Sequence, residues 1–281
     1  ADEMAGHYSE NEISEAVRRG TLTGKGGAWD LISKRVQAIP EYSDFFIDTY
    51  DHIETAQDIK FTDISNAVAA FMEFEWRSDT SPFDDFLQGR LDLAISQEKG
   101  MELFYGKANC SSCHAGALFT DHQFHATGQP QGGRGKPAKY QIHSRDTGPF
   151  RVTGNIKDKY AFRTPSLRNV ELTGPWGHAG AYSNLEAFVY AHLNPYLALS
   201  NYDKSNVTLT KYDANDWKIV DNANEVKAIA DSITIKPVII SDGEVTDLLA
   251  FLGTLTDIKA QKGRLGIPET VPSGLEIPNP Q

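Results

Sequence analysis

The chain has 281 residues, 40% of them hydrophobic and 10% aromatic, which is ample for one large or two modest packed domains and excludes a disordered or fibrous protein. No apolar run is long enough to span a bilayer, and Ala1-Asp2-Glu3-Met4 carries neither the basic nor the apolar stretch of a signal peptide, so any leader has been removed. A formal net charge of −11 and a pI near 5.2 argue against nucleic-acid or anionic-lipid binding; they fit steering of a basic or neutral redox partner, or solubility alone.

In chain order, residues 9–50 read as helical pieces broken by the Gly24-Lys25-Gly26-Gly27 turn, with Pro40 in the first turn of a segment whose Tyr42, Phe45, Phe46 and Tyr50 are expected in a core. From Ile59 to Trp76, Ile64, Val68, Phe71, Met72 and Glu75 recur at spacings of three and four, the stripe of a buried helix. Ser81-Pro82-Phe83-Asp84 restarts the chain. Ser96-Gln97-Glu98-Lys99 caps a helix that runs through Leu103 and Phe104.

That helix leads into Cys110-Ser111-Ser112-Cys113-His114. Two residues between the cysteines let one short turn present both sulfurs to one porphyrin edge, and the next residue is an imidazole able to ligate the iron. The direct reading is a covalent haem c. A thioredoxin-like redox pair would need a βαβ context, and half of a zinc site would need another close Cys or His pair; neither is present. The motif uses both cysteines of the chain, so no structural disulfide stands beside it. Haem attachment of this type takes place outside the bacterial cytoplasmic membrane, so the motif implies a periplasmic protein.

Residues 115–165 are rich in Gly, Pro, Asn and Asp without periodicity, an excursion of the kind that lines a site. Gly132-Gly133-Arg134-Gly135 lies there without a phosphate-loop context. Helix returns over 185–192 and 241–255, where Ser241 and Glu244 form a capping box and Val245, Leu248, Leu249 and Leu252 a stripe. The 200–240 stretch is polar and indeterminate. The tail from Ile267, with four prolines, reads as extended. The second iron ligand stays open on these grounds: Met4, Met72 and Met101 offer thioethers, His122, His125, His143, His178 and His192 follow the motif, and Tyr160 has no chemical mark of its own.

Several ordered stretches resemble the carboxy-terminal haem domain of the bacterial di-haem cytochrome c peroxidase and MauG-like family. They are Asp146-Thr147-Gly148, Val152-Thr153-Gly154, the run from Tyr160 to Val170, and Leu172-Thr173-Gly174-Pro175-Trp176-Gly177-His178. Ser81 to Asp84, Phe119-Thr120-Asp121, Phe124-His125 and Val271 to Leu275 agree as well, so the likeness covers nearly the whole chain. It implies a mostly α fold, with a c-type haem domain and long irregular loops over 91–281 and a helical region over 1–90 packing toward a partner or missing haem domain.

Arg163 and Arg168, on either side of the Pro165 turn, suit bidentate pairing with the haem propionates, surface ion pairs being the alternative. The resemblance further implies that Tyr160 faces His114 across the iron and that His178 lies near the haem edge. There Ala179 replaces the family's Asp, which puts a His–carboxylate pair in doubt. It also implies that Glu3 serves as the distal acid of a second haem held by a missing segment or another chain. A calcium ion would be held in part by backbone carbonyls at Gly128 and Pro130. The implied activity is a redox component that relays or stores oxidising equivalents from hydrogen peroxide reduction at the second haem. Its electron donor would be a small redox protein or a protein substrate. The alternatives are a stand-alone mono-haem electron carrier and a haem-based sensor.

Overall fold

The computed structural model describes residues 6, 9–132, 145–207 and 217–277; Glu3, Met4 and His143 lie outside them. The fold is mostly helical, with one two-stranded ribbon among the described residues. Chain contacts divide it into two units, residues 1–77 with 259–281, and residues 78–258. Among the described residues no helix is long and apolar enough to cross a membrane.

The first unit opens with α1 (Glu12–Arg18), capped by Asn11, whose Oδ1 accepts from Ile13 N and Ser14 N at 3.0 Å each. After the glycine turn come α2 (Ala28–Gln37), α3 (Pro40–Thr49), which has its proline at the first helical position as expected, and α4 (Phe61–Glu75). The Trp29 and Phe61 rings stack at 4.1 Å, and Ala28, Ile53 and Ile59 are buried. The expected burial fails in two places. Phe45 is exposed, and on α4 Val68, Phe71 and Met72 all lie on the surface, where Phe74 and Trp76 join them. The residues that α4 buries are Asp63 and Glu75. Periodicity therefore found the helix but not which side is covered, because here the covered side is held by carboxylate hydrogen bonds.

The second unit contains α5 (Pro82–Leu87), α6 (Ile95–Tyr105), α7 (Phe150–Thr153), α8 (Leu185–Leu193), α9 (Pro195–Ser200), α10 (Ala223–Ser232) and α11 (Asp242–Gly253). α6 starts one residue before the expected Ser96 cap. Ala94 N donates to Gln97 Oε1 at 2.9 Å, while Ser96 Oγ reaches Asp247 on α11 at 2.5 Å. α11 begins at the expected capping box, where Ser241 N donates to Glu244 Oε2 at 2.7 Å. α6 and α11 cross at Gly100, where an added Cβ would stand 1.9 Å from the Asp247 carbonyl oxygen. Their crossing anchors a core of Phe83, Leu103, Phe104, Phe119, Val189, Leu193, Leu248 and Phe251, with Cys110 packed against it. β1 (Phe124–His125) and β2 (Phe162–Arg163) pair antiparallel, with Phe124 opposite Arg163 and His125 opposite Phe162. α9 ends at the edge of the 200–240 stretch that sequence left indeterminate, and α10 lies within it.

α12 (Ile258–Lys262) begins the segment that returns to the first unit. Beyond it Glu75 accepts from Arg264 N at 2.9 Å and Leu265 N at 2.6 Å, while Arg264 Nη1 donates to the Phe74 carbonyl at 3.2 Å. The buried Glu75 carboxylate thus satisfies two backbone donors. Glu75→Ala should lower stability by about 1–3 kcal/mol, the cost of buried polar groups left unpaired. It should also speed proteolysis within 263–277. Equal cleavage of variant and parent would refute the tether.

Candidate haem site

α6 ends at Gly106, and the chain passes through a left-handed Asn109 (φ 57°) into a single 3-10 turn formed by Cys110–Ser112. The turn is closed by Cys113 N to Cys110 O at 3.3 Å and His114 N to Cys110 O at 2.9 Å. Both cysteines are half-buried and unpaired. Burial pushes the Cys110 thiol up to about 11, so at neutral pH it is a protonated thiol.

His114 is oriented by the backbone. Its Nδ1 lies 3.0 Å from the Phe119 carbonyl, a contact that calls for a proton on Nδ1, and the Pro165 backbone also lies within reach of the ring. Phe119 itself takes a left-handed conformation (φ 52°), while its ring is buried 5.8 Å from Phe83 and 6.1 Å from Phe104. The ring's place in the core thus holds a costly backbone conformation that aims one carbonyl at His114. Burial pulls the His114 pKa down, opposed by the Phe119 carbonyl and Asp121, and the ring stays neutral, the form that donates to a metal. Two thiols on one turn beside a neutral, oriented imidazole form a donor set that fits a covalent haem.

Next to the motif, Asp121 Oδ2 and His125 Nε2 pair at 2.7 Å. Partial burial works against ionisation of Asp121, but the hydrogen bonds from His125 and Gln123 N outweigh it and hold the carboxyl down to about 2. Cys113, Asp121 and His125 lie within 4.8 Å of one another, close enough to share a metal ion. Cys113 belongs to the expected haem turn, and the carboxylate and imidazole already satisfy each other.

The other expected site residues have specific partners. Tyr160 has φ 58°, is 2% exposed, and donates its hydroxyl to Glu225 Oε2 at 3.0 Å, while Arg145 pairs with the same carboxylate. Burial, then Glu225, pushes its phenol up to about 12. It packs with Leu199, Ile219 and Ile229, a cluster separate from the one holding Cys110. Arg168 is committed to a bidentate pair with Asp84 at 2.9 and 3.0 Å and donates Nε to the Ala117 carbonyl at 2.8 Å. Arg163 Nη1 donates to His122 Nδ1 at 3.0 Å.

His178 stacks on Phe162 at 3.7 Å and stands 3.4 Å from Asp146. The carboxylate that Ala179 could not supply therefore comes from an earlier loop. Gly128 takes φ 67° and Gln129 is buried, its Oε1 accepting from His178 N at 3.3 Å. Glu3 lies outside the described residues. Sequence reasoning did not pick out the Phe119 carbonyl, Asp84, Asp146 or Glu225 as partners. Only Asp121 and His125, four residues apart beside the motif, carried a local signal.

A family model described as di-haem cytochrome c peroxidase matches residues 7–92, upstream of the motif. The chain is 31% identical over 244 residues to the methylamine utilization protein MauG of Methylorubrum extorquens, covering 85% of this chain and 55% of that protein. It is 31% identical over 204 residues to the cytochrome-c peroxidase IdrP1 of a Pseudomonas species, covering 64% of this chain and 52% of that one. Among solved structures, a MauG-like protein associated with microbial copper homeostasis superposes with a TM-score of 0.54 at 27% identity, covering 86% of this chain and 68% of that one. The chain spans about half the length of the curated relatives it matches. Likeness on both sides of the motif relates this chain to the di-haem cytochrome c peroxidases and MauG proteins.

Proposed function

We propose that this chain holds one haem c through thioether bonds to Cys110 and Cys113, with His114 as one axial ligand. It would serve as the half of a periplasmic, peroxide-dependent di-haem oxidoreductase that relays or stores oxidising equivalents. The observation that carries this is the His114 Nδ1 hydrogen bond to the Phe119 carbonyl beside two free thiols, on a turn fixed by the α6–α11 crossing. Bound here, the haem supplies one-electron chemistry, and the residues around it set its potential and its exposure to water.

The second haem, where peroxide reacts, would come from another segment or chain, toward which Glu3 would act as distal acid. Arg163, on the β1–β2 ribbon, is the guanidinium better placed to pair with a propionate, since the Arg168 fork is taken by Asp84. His178 would border the haem edge with Asp146 behind it. The Gly128 and Pro130 carbonyls are the proposed part of a calcium site, for which oxygen donors suit a hard cation. The net charge of −11 favours a basic redox protein as electron donor.

Intact mass of the protein isolated from its native source should show one haem per chain and a second haem-bearing segment or partner. The assembly should change its absorbance on adding hydrogen peroxide. Cys110→Ala with Cys113→Ala should abolish covalent haem. A single haem, no partner and no peroxide response would leave the mono-haem carrier as the correct reading.

A further inference from the structure

His192 lies near the carboxy-terminal end of α8, a helix capped by Asn184, whose Oδ1 accepts from Ala187 N at 3.0 Å. Its helical neighbours Val189 and Leu193 enter the same core against which Cys110 packs. The Phe188 ring, one turn earlier, meets the imidazole edge-on at 4.5 Å. α8 therefore carries an imidazole into the interior that the haem turn borders.

Every other described histidine after His114 is engaged. His122 is bonded to Arg163, His125 to Asp121, and His178 is stacked on Phe162 beside Asp146. His192 Nδ1 is buried without a hydrogen bond of good geometry, although the Phe188 carbonyl lies near enough to favour a protonated ring. A buried polar nitrogen left unpaired costs about 1–3 kcal/mol, and folded proteins rarely keep one without a use. Burial, with a smaller push from His114 close by, lowers the His192 pKa to about 4, so the two imidazoles share one interior.

The competing donors fare worse. The Tyr160 hydroxyl is spent on Glu225, Met72 is exposed in the other unit, and Met101 is packed in the α6–α11 core. The Tyr182 hydroxyl is also buried without a partner, but it sits among Ala181, Ala191 and Tyr202. We infer that His192 is the second axial ligand, giving the haem of this chain two imidazoles, His114 from the motif and His192 from α8, with Tyr160 a hydrogen-bonding residue outside the iron's coordination. This rests on the haem assignment above. Two imidazoles stabilise oxidised iron relative to an imidazole–thioether pair, so the potential should lie below that of a methionine-ligated cytochrome c.

The test uses full-length protein matured with haem, its covalent attachment first confirmed by mass. Electron paramagnetic resonance and near-infrared magnetic circular dichroism of the oxidised parent should show a low-spin haem of two-imidazole type. His192→Ala should lose that signal and become high-spin, and added imidazole should restore it, which a misfolded variant would not allow. His192→Met should stay low-spin with a raised reduction potential. Tyr160→Phe and Tyr182→Phe should leave the axial spectrum unchanged. A low-spin signal that survives His192→Ala, or one lost in either phenylalanine variant, overturns the inference while leaving the haem assignment intact. A parent without covalent haem overturns both.

Discussion

Replacing Arg168 with methionine should destabilise the protein by about 3–5 kcal/mol, because it strips the partner from a carboxylate with little solvent around it. The Arg168 and Asp84 side chains are 13% and 11% exposed, and their two hydrogen bonds are parallel. Burial opposes ionisation of Asp84, but Arg168 and Ser81 outweigh it and hold the carboxyl below its usual range. A depressed acid contributes stability that is fully present above the unfolded value, about 3.9, and lost as pH falls through the folded one. The gap between parent and variant in urea midpoint should therefore be wide at neutral pH and narrow on acidification toward about pH 3. The double variant Asp84→Leu/Arg168→Met should recover much of the loss, since an apolar pair leaves no charge uncompensated. A gap that does not change with pH would reject the buried-pair account. Arg168 also donates to the Ala117 carbonyl, two residues before Phe119, so the single variant should perturb the haem spectrum as well.

Gly100→Ala should be the second severe change. Alanine would improve helix propensity by about 1 kcal/mol, yet its Cβ would meet the Asp247 carbonyl oxygen at 1.9 Å and Phe251 Cβ at 2.8 Å. Backbone cannot give way as a side-chain tip can, so the crossing must open. Overpacking of this kind costs about 3 kcal/mol or more, and the net effect is a loss of at least about 2 kcal/mol. The control is Gly243→Ala on α11, which meets nothing closer than 4.0 Å and should be neutral or stabilising by up to about 1 kcal/mol. Thermal unfolding of both haem-loaded variants decides the matter. If Gly100→Ala is no worse than Gly243→Ala, the close approach of α6 and α11 is not what holds the core.

Features written locally were legible in the sequence. Cys110 to His114, Pro40 at the start of α3, the Ser241–Glu244 box and the length of α8 depend on neighbours a few residues apart, and the structure contains each of these elements. What failed was anything decided by distant chain. Val68, Phe71 and Met72 have the spacing of a buried face, but spacing says nothing about what arrives to cover it. Ser96 looks like a cap, yet α11 claims its hydroxyl through Asp247. His192 stood among five histidines that sequence could not rank. Its distinction is an environment assembled by α8, Phe188 and the motif turn, and the same holds for Tyr160, whose partner Glu225 is 65 residues away.

Glu75 finds its backbone donors 189 and 190 positions further along the chain, so one unit is assembled from segments that flank the other. Residues 78–258 take nothing from 264 and 265, so that unit can close on itself before the chain ends meet. The helices of residues 1–77 must wait for the tail, and a chain cut after residue 258 would leave the Glu75 carboxylate without these two backbone donors.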